Sequence, residues 1–247
     1  MQAMRSALAQ VSPYRMLSSP TLYHYVRQTF TGGMPFSRFI TLYGLDAPNE
    51  RIADLGCGPA DILRYLGRGR EPSYYLGVDI SDSYLEAARQ RAEAAGIRAE
   101  FWNLDLTQLA DNTEIQDRLV NLLEVKQISR VLLLGVLHHI PDAAVDVTLR
   151  LVHRAACVQT LVTQDVVLID GHPLNNLLCR LDRGEHVRDE SGYDTLALRS
   201  PWAGYSKAWS RTGVRFIKYI HYTFSKSQLS MSRPHIPIRG NTANLAR

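Results

Sequence analysis

Cysteine is scarce. The chain has 3 in 247 residues, Cys57, Cys157 and Cys179, and none stand in a C-x-x-C pair. An odd, scattered set argues against a disulfide framework and points to reduced thiols in a cytoplasmic setting. Long apolar runs are also missing: no stretch approaches the roughly 18 residues of a membrane span. The first residues lack the apolar core of a secretory signal. Charge of one sign is not in large excess, with 28 Lys and Arg against 24 acids and a net charge of +4. No strong basic stripe of the nucleic-acid-binding kind is present. The positive excess gathers late, in Lys207, Arg211, Arg215, Lys218, Lys226, Arg233, Arg239 and Arg247. That pattern reads first as a solvated face and second as a weak contact with an anionic partner. Repeats and low-complexity tracts are absent.

What is present is an α/β pattern organised around Arg51-Ile-Ala-Asp-Leu-Gly-Cys-Gly-Pro-Ala-Asp-Ile-Leu63. Ile52 and Leu55 suit a short buried strand, Gly56 and Gly58 a tight turn, and Pro59 the first turn of a following helix. Strand, glycine turn and helix form the nucleotide-binding unit of a doubly wound sheet. The third glycine of G-x-G-x-x-G is missing, because Asp61 occupies its place. With Asp54 at the strand end, two carboxylates stand where a dinucleotide would need to set its pyrophosphate on a bare helix N-terminus. They repel phosphate and suit a cationic ligand. S-adenosylmethionine (SAM) carries an ammonium and a sulfonium and no phosphate, so the turn favours SAM over NAD.

Two further strands close on acids. Tyr74-Tyr-Leu-Gly-Val-Asp79 ends in Asp79, placed to accept from ribose hydroxyls. The competing role for Asp79 is a helix cap, which Ser81 can fill for a helix over Asp82–Ala95 ending at Gly96. Glu100-Phe-Trp-Asn-Leu-Asp105 ends in Asp105, a candidate acceptor for an adenine amino group, with Leu106 beside the ring. Ile115, Leu119, Leu122 and Leu123 pattern a covering helix. Val131-Leu-Leu-Leu-Gly135 reads as a central strand buried on both faces. It opens onto Val136-Leu-His-His-Ile-Pro-Asp142, which puts His138 and His139 at the carboxyl end of the sheet, where ligands bind. One of them is a candidate proton acceptor or substrate-orienting group. A metal role needs further ligands, and none is evident, so no metal is expected.

These motifs together resemble the class I SAM-dependent methyltransferases, most closely the bacterial small-molecule type. The resemblance rests on Asp-Leu-Gly-Cys-Gly-Pro-Ala-Asp-Ile-Leu, Gly-Val-Asp-Ile-Ser, Asn-Leu-Asp-Leu and Gly-Val-Leu-His-His-Ile-Pro-Asp, and spans about residues 20–229. It implies a Rossmann-like seven-stranded doubly wound α/β sheet, mostly parallel with an antiparallel last strand, under a helical cap. It implies SAM contacts at Asp54, Gly56, Cys57, Gly58, Asp79, Ile80, Asp105, Leu106 and Gly135. Before the fifth strand such proteins usually carry Pro-Gly-Gly, where this chain has Arg154-Ala-Ala-Cys-Val-Gln159.

The chain divides into an N-terminal helical lid over 1–45, a methyltransferase domain over 46–229 with a cap insertion over 171–200, and a tail over 230–247 expected to be disordered. In the lid, Pro20 to Phe30 and Phe36 to Tyr43 pattern two helices, the first carrying Tyr23 and Tyr25. Leu161–Val167 is a fifth strand with Asp165 near its end, and Pro173–Arg183 a helix. Ser191-Gly-Tyr193 opens another helix, and Thr212–Ile217 with Tyr219–Ser227 reads as a closing hairpin. His138, His139 and Asp165 are the catalytic candidates. Tyr23, Arg183, Arg188 and Tyr193 are the substrate-side candidates, with ion pairing inside the cap an equal alternative for the arginines. The expected activity is methyl transfer to an O or N atom of a small molecule, with no nucleic acid partner. An RNA or protein methyltransferase and a non-catalytic SAM-binding protein are the alternatives. An Asn/Asp-Pro-Pro-Tyr motif would have favoured base methylation, but Val-Leu-His-His holds that place.

Overall fold

A computed structural model describes residues 36–45, 47, 50–66, 74–181, 184–211 and 217–227. Its centre is a seven-stranded sheet in the order β3-β2-β1-β4-β5-β7-β6. The strands are β1 (Arg51–Leu55), β2 (Tyr74–Asp79), β3 (Ala99–Asn103), β4 (Arg130–Leu134), β5 (Thr160–Val166), β6 (Gly204–Arg211) and β7 (Lys218–Ser225). The first five are parallel, and β7 runs antiparallel to both β5 and β6. The chain moves outward from β1 to β3 and then crosses back to place β4 beside β1. This reversal opens a crevice at the carboxyl ends of β1 and β4.

Alternation along the strands builds two cores. Ala53, Leu55, Val131, Leu133 and Leu161 face one side, beneath α3 (Thr113–Val125) and α4 (Asp142–Arg154). Ile52, Tyr75, Leu132 and Val162 face the other, with α1 (Phe36–Tyr43) and α2 (Asp82–Ala95). Helix ends follow local chemistry. The Ser81 hydroxyl accepts from the Tyr84 amide at the start of α2, and Gly96 at φ 68° ends it. Asn112 caps α3 in the same way.

The cap insertion is stapled to the sheet. Helix α5 (Pro173–Leu181) buries Cys179 against Val166, Ile217 and Tyr219. The buried Asn175 donates to the Val167 carbonyl at 2.8 Å and accepts from the Lys218 amide at 3.0 Å, tying β5 to β7. Helix α6 (Glu190–Arg199) starts at Asp189, whose carboxylate accepts from the Gly192 amide.

Three expectations need correction. The segment after the glycine turn is a 3-10 helix, Asp61–Tyr65, within the described residues. Ala60 enters it in the left-handed region at φ 52° and no side chain caps it, so i−3 bonds form from Leu63 and Leu66. The third strand stops at Asn103, and Asp105 instead caps a 3-10 turn over Leu106–Ala110. The closing hairpin begins earlier than Thr212. Tyr205, Lys207 and Trp209 alternate with Ser206, Ala208 and Ser210 in β6, a period of two that suits an edge strand. The first lid helix, with Tyr23 and Tyr25, and the tail from 230 lie outside the described residues, as does Arg183.

Candidate functional site

The glycine turn is built around one carbonyl and one carboxylate. The Gly56 and Cys57 amides both donate to the Val78 carbonyl, at 2.7 and 2.9 Å. The Gly58 amide donates to Asp79 Oδ2 at 2.8 Å. Gly56 sits at φ 77°, and a Cβ there would come within 2.5 Å of Val136 Cγ2. Glycine is therefore required both for backbone angle and for the approach of the two strand ends. All three amides point into the protein. A turn of this kind offers no nest for a phosphate.

A cavity of about 350 Å³ opens beside the turn at the crevice between β1 and β4. Asp54, Asp61, Asp79 and Asp105 all line it. Asp54 is buried, and its Oδ2 accepts from the Tyr75 hydroxyl at 2.7 Å. Burial, with the Asp54 charge beside it, pushes the Tyr75 phenol well up, so it remains a donor. Asp61 Oδ1 lies 3.3 Å from Arg91, whose guanidinium also donates to the Pro59 carbonyl, and 3.7 Å from Arg64. Asp79 takes the Gly58 amide on one oxygen and the Ser81 amide on the other, at 2.9 Å. Each oxygen retains a second lone pair. Burial pushes the Asp79 carboxyl up, against the pull of those amides. Asp105 Oδ1 accepts from the Thr107 amide and hydroxyl, so it is a cap as well as a wall. Ile80 and Leu106 supply apolar surface, Ile80 being 62% exposed.

Carboxylates on the wall and inward-turned amides match a ligand with an ammonium and hydroxyls, and mismatch a pyrophosphate. SAM fits on both counts. Residues 52–157 match the family model for a methyltransferase domain. That match covers 106 of the chain's 247 residues, and the cofactor it supports is S-adenosylmethionine. The chain is 38% identical over 60 residues to a carboxy-S-adenosyl-L-methionine synthase of Campylobacter jejuni subsp. doylei, covering 24% of this chain and 26% of that protein. It thus spans about a quarter of the length of the curated relatives it matches. Among solved structures, mitomycin 7-O-methyltransferase MmcR superposes with a TM-score of 0.58 at 16% identity, over 89% of this chain and 60% of that one. The [4+2]-cyclase SpnF superposes with a TM-score of 0.51 at 16% identity, over 77% of this chain and 80% of that one. At such identities the likeness establishes the shared fold. It does not establish the reaction, as the cyclase illustrates.

Every cofactor candidate read from the sequence lines the cavity, and so does Asp61, which the sequence sets beside Asp54 as a second carboxylate suited to a cationic ligand. The missing third glycine was the signal for Asp61. The Cys57 thiol is pushed well up, first by burial and then by the Asp54 and Asp79 charges, so it is a neutral wall atom. The adjacent histidines part ways. His139 is exposed and faces the cavity. His138 is buried behind it, with Nδ1 2.7 Å from Asp165 Oδ1 and its amide donating to the same oxygen at 3.2 Å. The two imidazole centroids are 4.0 Å apart. Burial pushes the Asp165 carboxyl up, and the His138 contacts oppose this.

Arg188 and Tyr193, the substrate-side candidates among the described residues of the cap, are not on the cavity wall. The Arg188 guanidinium is directed at the Leu137, His186 and Ile140 carbonyls and at Asp142. The Tyr193 hydroxyl donates to the Val166 carbonyl at 3.0 Å, within the core. Among the described residues, no group of three or more His, Cys, Asp or Glu side chains is placed to hold a metal ion. Among the same residues, no helix is long and apolar enough to cross a membrane.

Proposed function

We propose that this chain transfers a methyl group from SAM to an O or N atom of a small molecule that is neutral or cationic where it meets the cavity. The carboxylate-lined cavity beside an inward-turned glycine turn carries this reading. Four acids on one wall oppose an anionic acceptor. SAM supplies an electrophilic methyl group on a sulfonium. The residues around it hold, orient and exclude water. Asp54 and Asp61 would hold the ammonium, Asp79 the ribose hydroxyls and Asp105 the adenine edge. Ile80, Leu106 and Gly135 would pack on the cofactor. His139, exposed on the wall, would take a proton from the acceptor. His138 and Asp165 support it from behind. The free thiols of Cys57, Cys157 and Cys179 support a reducing, cytoplasmic setting for the reaction.

Titration calorimetry with SAM, S-adenosylhomocysteine and NAD tests the cofactor side: SAM and its demethylated product bind, and NAD does not. Binding of NAD without SAM would sink the assignment. Transfer of labelled methyl from SAM into a panel of phenols, alcohols and amines tests the acceptor side. A second reading, in which this chain would modify SAM itself, rests on the local match to proteins named carboxy-S-adenosyl-L-methionine synthase. Mass spectrometry of recovered SAM distinguishes the two.

A further inference from the structure

The turn that presents His139 is gripped from two sides. From the sheet, Asp165 Oδ1 holds both the amide and the ring of His138. From the insertion, Arg188 holds the backbone on either side of the histidine pair. One terminal nitrogen donates to the Leu137 carbonyl at 2.6 Å, and the other to the Ile140 carbonyl at 3.0 Å. The His186 amide donates to the His138 carbonyl between them, at 2.9 Å. Nε and a terminal nitrogen of Arg188 also reach Asp142 Oδ1, at 2.8 and 2.6 Å, anchoring the fork to the first turn of α4. With its bond to the His186 carbonyl, all five guanidinium N–H groups are used. The side chain is 9% exposed. Gly184 closes the grip: a Cβ there would lie 2.2 Å from His138 Cδ2.

We infer that Arg188 is a positioning residue, which sets His139 against the cofactor cavity by holding the Leu137 and Ile140 carbonyls, and so couples the cap insertion to the methyl-transfer site. The inference rests on the functional reading above for what His139 does, and on geometry alone for what holds it. A guanidinium suits the task because its planar fork addresses two carbonyls and a carboxylate at fixed angles, which an ammonium does not. Ile140 and Val136 share the cavity wall with His139, so a shift of this turn moves wall and imidazole together. Arg188 thus does not recognise the acceptor. It governs where the acceptor's proton can go.

The test uses the full chain with isotopically labelled histidine. His139 imidazole signals are assigned by their loss in His139→Gln and recorded first without ligand. Arg188→Ala is expected to move and broaden them, while affinity for the probe S-adenosylhomocysteine stays within about threefold. Arg188→Lys restores the signals only part way. Arg199→Ala is the control. Arg199 reaches Asp142 and Asp146, at 3.5 and 3.3 Å, without touching the turn, and the His139 signals stay in place. Unchanged His139 signals in a folded Arg188→Ala protein overturn the proposal, and so does an equal shift from Arg199→Ala. If Arg188→Ala does not fold, Asp142→Asn decides, since it weakens the anchor of the same fork; unmoved His139 signals there overturn it. Failure of the parent protein to bind S-adenosylhomocysteine would overturn the proposed function instead, and the ligand-free signals would still report on Arg188.

Discussion

His138 Nδ1 lies 2.7 Å from Asp165 Oδ1 inside the protein, while His139, one residue on, is exposed on the cavity wall. Adjacent residues of one type thus hold different positions. Replacing His138 or Asp165 by Ala strands the other partner in the core and is expected to cost about 3–5 kcal/mol in stability. His139→Ala is expected to cost under about 0.5 kcal/mol and to slow methyl transfer by about 100-fold or more. Urea unfolding with a single-turnover assay separates the two. A stable His138→Ala protein together with an unfolded His139→Ala protein would reverse the assignment.

Acid stability is expected to depend on His221. It is buried under Phe39 and Tyr43, with its ring centroid 6.1 Å from each, and its Nε2 lies 2.6 Å from the Ser210 hydroxyl. Burial pushes its pKa down to about 4, from 6.5. The unfolded chain takes up a proton on this ring before the folded one does. Stability is therefore complete above the unfolded value of 6.5 and is lost as pH falls from there toward about 4. The loss reaches up to about 3 kcal/mol. His221→Phe should flatten this limb of the stability profile between those values. An unchanged slope would mean that other groups set it.

Gly56→Ala meets two obstacles, a φ of 77° and a Cβ 2.5 Å from Val136 Cγ2. The change should destabilise the fold by about 1–3 kcal/mol. Because Val136 lines the cavity, SAM affinity should fall as well. Calorimetry on the folded fraction, beside thermal unfolding, measures both. A variant with parental stability would show that the turn relaxes easily.

Asp79→Ala removes the acceptor of the Gly58 and Ser81 amides along with the proposed ribose contact. S-adenosylhomocysteine should bind about 1–3 kcal/mol more weakly. An unaltered affinity in a folded protein would make Asp79 a turn brace alone.

Much of the site was legible before folding because its signals are local. A strand that ends in an acid, followed by a turn, carries its meaning within a few residues. Asp54 and Asp79 could therefore be placed at the carboxyl edge of the sheet from strand order alone, whereas Asp105 lies two residues beyond the end of β3 as the cap of a 3-10 turn. Helix α2 was bounded by its own Ser81 cap and Gly96 stop. The insertion was less legible. Arg183 and Arg188 showed charge without showing its partners, and Arg188 meets Leu137 some 51 positions earlier in the chain.

The sequence by itself determined the acids near the strand ends and the glycine turn, since each follows from residue type, spacing and strand periodicity. Only the tertiary structure decided which of His138 and His139 faces the cavity, because that depends on where β5 sets Asp165. It likewise decided that the fork of Arg188 closes on backbone carbonyls. A side chain's partners are fixed by what packing brings within hydrogen-bond range, and that distance is not written along the chain.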